Sequence, residues 1–74
     1  MRMAIHIGQV IKEALKRRGM TVSEFGRRIH KSRENVYSIF KRITIDTGLL
    51  YDISEVLEQD FFLLYSKEFK KKGS

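Results

Sequence analysis

The sequence predicts an all-α fold, a compact bundle of four to five short helices. Three observations carry that expectation. The 74 residues include no proline, so no position is barred from a helix interior by a missing N–H. Apolar residues recur at i, i+3, i+4 and i+7 along most of the chain, the spacing that gathers them on one helix face. No stretch alternates apolar and polar residues for long enough to make a half-buried strand.

Each element follows from its own residues. Ile7, Val10, Ile11, Ala14 and Leu15 form one apolar stripe, with Gln9, Lys12, Glu13, Lys16 and Arg17 on the other faces. Arg17 and Arg18 fall in the last turn, where the helix dipole favours cations, and Gly19 suits the left-handed residue that ends the helix. The second start is the clearest. Thr21-Val22-Ser23-Glu24 has the capping-box pattern, with Glu24 placed to reach back to the cap, and Met20 and Phe25 flank it as a hydrophobic staple. This helix buries Phe25 and Ile29. Ser32 then caps a third helix that carries Val36, Ile39 and Phe40 on one side. Only His30 and Lys31 separate the two, so they cross steeply instead of lying antiparallel. Asp46 caps a fourth helix with the stripe Leu49, Leu50, Ile53, Val56 and Leu57. Asp60 starts a short fifth one through Phe61–Tyr65, and the lysine-rich residues 67–74 read as a frayed basic tail. Residues 1–66 are expected to be one domain, its two steeply crossed helices at about 21–40.

Composition narrows the function. Apolar residues make up 42% of the chain, enough for a small core but not for a core and a deep substrate pocket. There is no cysteine, which excludes disulfide scaffolds, thiol catalysis and zinc ribbons. No apolar run approaches the ~20 residues of a membrane span, and the first residues lack a signal peptide's apolar stretch. A soluble intracellular domain is expected, not one in a membrane. His6 and His30 stand apart without a carboxylate cluster, so no metal is expected. There is no glycine-rich phosphate loop, paired-carboxylate constellation or Ser-His-Asp spacing. Neither catalysis, nor a cofactor, nor a small-molecule substrate is expected.

The net charge of +6 is unevenly spread. Residues 16–42 hold nine Lys and Arg against Glu24 and Glu34, a net +7, while residues 43–66 hold five acids and no base. From Lys67 onward the chain is basic again. Such segregation implies one surface that faces a polyanion and an acidic remainder held away from it.

Two short helices joined by a tight turn, the second rich in polar side chains that can reach base edges, describe a helix-turn-helix. The stretch from Val22 to Ile39 resembles the Cro/repressor-type (XRE-like) helix-turn-helix family. Phe25, Ile29, Val36 and Ile39 stand at the apolar positions that lock its two helices, and Gly26 at the small-residue position where they approach. The likeness extends to about residues 7–65, through Leu50, Ile53, Val56 and Leu57 of the following helix, and it looks like that of small bacterial members. It implies a lambda-repressor-like fold and a sequence-specific, repressor-like transcriptional regulator of double-stranded DNA, cytoplasmic and nucleoid-associated. The chain departs from the family pattern at the turn, where His30 stands for the usual glycine and Lys31 for a frequent apolar residue. It departs again after the recognition helix, at Phe40-Lys41-Arg42.

The resemblance puts helix 32–40 in the major groove, with Arg33, Glu34, Asn35 and Ser38 at base-reading positions. Phosphate contacts would come from Thr21 and Ser23, Arg27 and Arg28, Lys31, Tyr37, Lys41, Arg42 and Thr44. Bland alternatives stay open for some of these. Arg27 and Arg28 could be a solvated helix face, and Arg33 could simply pair with Glu34. A different class of function also survives, a protein-interaction module or antitoxin-type partner that uses the same fold to bind an acidic protein. Finally, the unbroken run Phe61, Phe62, Leu63, Leu64 and Tyr65 exceeds what one face of a short helix can hide. It suggests a homodimer interface at Phe61, Phe62, Leu63 and Tyr65.

Overall fold

The computed structural model describes residues 5–73 and is all-helical. Five helices follow one another, α1 (Ile7–Arg18), α2 (Val22–Arg28), α3 (Arg33–Phe40), α4 (Thr47–Leu57) and α5 (Phe62–Gly73). The helix starts follow the predicted caps. Thr21 Oγ1 accepts from Glu24 N at 3.1 Å, Ser32 Oγ from Asn35 N at 3.2 Å, Asp46 Oδ1 from Leu49 N at 2.8 Å and Asp60 Oδ1 from Leu63 N at 3.2 Å. Each satisfies a first-turn amide that has no partner within its own helix. The box at α2 is only half formed, because the Glu24 carboxylate turns to Arg28 at 3.0 Å, one turn along the helix. α1 uses a cap that its sequence did not announce. Its cap residue is His6, whose Nδ1 accepts from Gln9 N at 3.2 Å.

Three helices end in the same way. After α1, Met20 N donates to Leu15 O and Gly19 N to Lys16 O; after α2, Lys31 N donates to Gly26 O and His30 N to Arg27 O; after α4, Gln59 N donates to Ser54 O and Glu58 N to Glu55 O. These are Schellman motifs, and each needs a left-handed residue at its bend. Gly19 supplies it freely at φ 76°, whereas His30 (φ 60°) and Glu58 (φ 53°) adopt it with a side chain in place. For such residues the conformation is costly.

The core is built from α1 to α4 and the residue that precedes α5. Ile7, Ile11, Ala14 and Leu15 of α1 meet Phe25 and Ile29, Val36, Ile39 and Phe40 of α3, Leu50, Ile53 and Leu57 of α4, and Phe61. Met20 packs against this cluster, as its place beside the α2 cap predicts. No charged or polar residue is buried among the described residues.

The first turn of α1 abuts the end of α3. Ile7 N donates to Ile43 O at 3.1 Å and Gly8 N to Arg42 O at 2.9 Å, while Gln9 Nε2 reaches Phe40 O at 3.4 Å. The positive end of one helix dipole thus faces carbonyls at the negative end of another. Only glycine permits this approach at position 8, since a Cβ there would lie 2.4 Å from Ile39 O and 2.5 Å from Phe40 O.

α5 corrects two expectations. The lysine-rich segment from Lys67 is not a frayed tail but continues the helix to Gly73; Ser74 lies outside the described residues. Phe61, Leu64 and Tyr65 fasten the start of α5 to the core, and Lys67, Glu68, Lys70 and Lys71 are good helix formers that prolong it. Phe61 is also not a surface residue. It is wholly buried in its own protomer and has no face left for a second copy. Phe62 and Leu63 are exposed, and Tyr65 is half-buried. Burial raises the Tyr65 hydroxyl above the ordinary phenol range.

Candidate nucleic-acid interface

The interface is set by how α3 divides its residues. Val36, Ile39 and Phe40 face the core, which turns Arg33, Glu34, Asn35, Tyr37 and Ser38 outward. Gly26 makes the close packing of α2 and α3 possible. A Cβ at that position would meet Lys31 O at 2.7 Å and Val36 Cγ2 at 3.2 Å, so the turn and α3 both close over bare backbone.

Two concave surfaces flank α3. One, of about 190 Å³, is lined by Lys31, Asn35, Ser38 and Arg42 with Ile39 and Leu49 at its floor. The other, of about 420 Å³, is lined by Arg33, Glu34 and Tyr37. The four candidate base readers are therefore divided between the two flanks, Asn35 and Ser38 on one and Arg33 and Glu34 on the other. Lys31 and Arg42 join the first pair from opposite ends, and Tyr37 joins the second. The Tyr37 ring stands edge-on to Phe40, with centroids 6.1 Å apart and an angle of 82°, which directs the ring without burying it.

The candidate phosphate residues are all exposed: Thr21, Ser23, Arg27, Arg28, Lys31, Tyr37, Lys41, Arg42 and Thr44. They are not equivalent. Arg28 is held by Glu24, so part of its charge is already balanced, while Arg27 has no ion pair among the described residues. Thr21 Oγ1 is occupied as an acceptor by the α2 cap, which leaves its own O–H to donate. Lys41, Arg42 and Thr44 lie on the segment whose carbonyls are tied to the first turn of α1.

The placement of one residue at this edge was not legible in the sequence. Ile43 stands 58% exposed between Arg42 and Thr44. An apolar residue after a helix reads as interior, and no local signal shows that its carbonyl, rather than its side chain, is the part held by α1.

Two short helices crossing over Gly26, with the second presenting polar side chains and flanked by bases, define a helix-turn-helix. A helix-turn-helix family profile matches residues 11–64, from α1 into α5. The chain belongs to that family, in its Cro/repressor (XRE) type. No curated protein and no solved structure gives a significant match. The family is one of DNA-binding helix-turn-helix proteins, of the transcription-regulator class and typically non-enzymatic. Among the described residues, no helix is long and apolar enough to cross a membrane.

Proposed function

We propose that the protein is a sequence-specific regulator of transcription, repressor-like, that binds double-stranded DNA as a homodimer with α3 in the major groove. The observation that carries this reading is the cleft beside α3 where Lys31, Asn35, Ser38 and Arg42 converge, with amide and hydroxyl groups between two cations. A groove edge offers the same order, base edges between two phosphate strands.

In this mechanism the Arg33 guanidinium makes two parallel hydrogen bonds to guanine O6 and N7. Glu34 accepts from a cytosine N4 amino group, Asn35 pairs with adenine N6 and N7, and Ser38 contacts a neighbouring base edge. Arg27, Arg28, Lys31, Tyr37, Lys41, Arg42 and Thr44, together with the Thr21 and Ser23 hydroxyls, hold phosphate oxygens and fix the register. A two-fold dimer sets two recognition helices about 34 Å apart, in successive major grooves. A protein that represses by this route occludes its operator and acts in the cytoplasm, on the nucleoid.

Selection of bound sites from random duplexes tests the reading. A palindromic consensus, with log K falling against log salt by about 0.9 per phosphate contact, is the expected result. No enrichment, or a salt slope near zero, would refute it.

A further inference from the structure

The acidic part of the chain carries a surface that the DNA reading leaves unused. Residues 43–66 hold five acids and no base. On α4, Tyr51, Asp52 and Glu55 share one outward face, within about 100° of arc. Where this face meets the start of α5, Tyr51, Ser54, Glu55, Gln59, Asp60 and Phe62 line a slot of about 270 Å³. Tyr51 is 56% and Phe62 36% exposed, so two aromatic rings stand open to solvent beside two carboxylates.

What the slot offers has one electrostatic sense. The Glu55 and Asp60 carboxylates accept hydrogen bonds and donate none, and the faces of the two rings are the negative side of a quadrupole. Ser54 is half-buried, but its Oγ is fully so and has no hydrogen-bond partner among the described residues. A buried hydroxyl in that state is costly until a donor reaches it. Among the described residues, no Lys, Arg or His lines the slot. The lysines of α5 do not turn towards it, since Lys67 and Lys71 lie about 140° and 180° around the helix from Phe62, and Lys70 about 12 Å further along.

We propose that the slot seats an arginine side chain of a partner protein, its guanidinium stacked against the Tyr51 and Phe62 rings and paired with Glu55 and Asp60. A guanidinium is planar, weakly hydrated and rich in N–H donors, so it meets rings, carboxylates and the Ser54 hydroxyl together, which a compact, strongly hydrated ammonium does less well. The slot is smaller than the ~300–1,000 Å³ of small-molecule sites, a size for one side chain of a larger partner. A second copy is a poor source. The described arginines all fall within residues 17–42, the basic stretch that faces the duplex in the function proposed above. With Asp52, Tyr51 also walls a cleft of about 550 Å³ that reaches His30 and Lys31 at the helix-turn-helix bend. A partner anchored in the slot can therefore extend along α4 to the edge of the DNA surface.

Titration of the isotope-labelled full chain at low salt with a capped pentapeptide, one arginine among serines, tests the site by amide chemical shifts. The expected result is a response centred on Tyr51, Ser54, Glu55 and Gln59. The same peptide with lysine should bind more weakly, and with norleucine should give no response. Tyr51→Ala and Glu55→Gln should each weaken binding about two- to fivefold, the equivalent of one exposed cation contact, with helical content and duplex binding unchanged. No response at the slot, shifts confined to residues 27–42, or lysine equal to arginine would overturn the proposal. So would a wild-type dimer in sedimentation that Tyr51→Ala dissolves, since the slot would then belong to a second copy. The regulator reading fails separately, because the peptide response needs no operator and operator selection needs no peptide.

Discussion

Arg18, the last residue of α1, secures the end of α4 through Glu58. Its Nη2 lies 3.1 Å from Glu58 Oε1, and its Nη1 donates to Leu57 O at 3.0 Å. Glu58 is one of the two residues with a side chain that take a left-handed backbone among the described residues. The pair therefore links a costly bend in α4 to the helix that also holds the end of α3.

Arg18→Ala should lower stability by about 1–2 kcal/mol, mostly through the lost bond to a part-buried carbonyl, since exposed ion pairs contribute little. Glu58→Gly alone should be near neutral, because relief of about 1 kcal/mol at the bend is offset by the freer unfolded chain together with the small loss of the pair. In the Arg18→Ala background the same change should stabilise. A urea double-mutant cycle reads the difference, and equal effects of Glu58→Gly in both backgrounds would contradict the link.

His30→Gly should stabilise by about 0.5–1 kcal/mol, since it removes the left-handed cost at the helix-turn-helix bend and part of the gain returns to the freer unfolded chain. The expected signature is a higher denaturation midpoint at unchanged slope, with DNA affinity retained. A fall in the midpoint would show that the imidazole makes a stabilising contact.

Gly8→Ala and Gly26→Ala should both destabilise, by about 1–3 kcal/mol for overpacking against backbone. Their effects on binding should differ. Gly8→Ala displaces the segment that carries Lys41–Thr44 and should weaken all duplexes alike, whereas Gly26→Ala shifts α3 itself and should reduce discrimination between sequences. Titrations against an operator and a scrambled duplex separate the two.

Arg33→Ala should cost about 1–3 kcal/mol on the selected site and relax preference at one base pair. Arg27→Ala should instead reduce the salt slope by about 0.9 and spare the preference. Arg28→Ala should weaken all duplexes alike but less than Arg27→Ala does, because Glu24 already balances part of its charge. Identical profiles for Arg33→Ala and Arg27→Ala would remove Arg33 from the base-reading set.

Tyr65 gives a pH dependence of known sign. Its folded pKa lies above the unfolded value through burial, so the unfolded chain loses the proton first as pH rises. The contribution is complete below about pH 10, the ordinary phenol value, and falls away above it. Thermal melts from pH 8 to 11 should show a loss that Tyr65→Phe lessens; an unchanged profile in that variant would assign the loss elsewhere.

What the sequence disclosed was local. Thr21, Ser32, Asp46 and Asp60 each cap an amide three residues on, a relation visible in any window of that length, and Gly19 marks its bend by type alone. The solvent-facing side of α3 was equally legible, because Val36, Ile39 and Phe40 turn inward and leave the other side for Arg33, Glu34, Tyr37 and Ser38. What escaped was long-range or lacked a residue signature. Arg18 meets Leu57 across 39 positions, and Gly8 looks like any helix glycine until α3 is placed against it. The extent of α5 was missed because its second half is held by helix propensity and not by an apolar stripe on the core. Phe61 was misplaced with its neighbours for a related reason, since a run of five apolar residues does not reveal which of them turns inward.

The first turn of α1 gives the molecule a jig. Ile7, Gly8 and Gln9 touch no base in the proposed complex, yet they fix where the chain leaves α3. They thereby set the span between Arg33 at one end of that helix and Arg42 beyond the other. A reader of DNA needs this calibration as much as it needs the letters it recognises, because a side chain matched to a base edge is useless if the next phosphate is out of reach. Here the gauge is cut from amides and carbonyls alone. Side chains along α3 can therefore be exchanged to read another operator while the gauge that spaces them stays as it is.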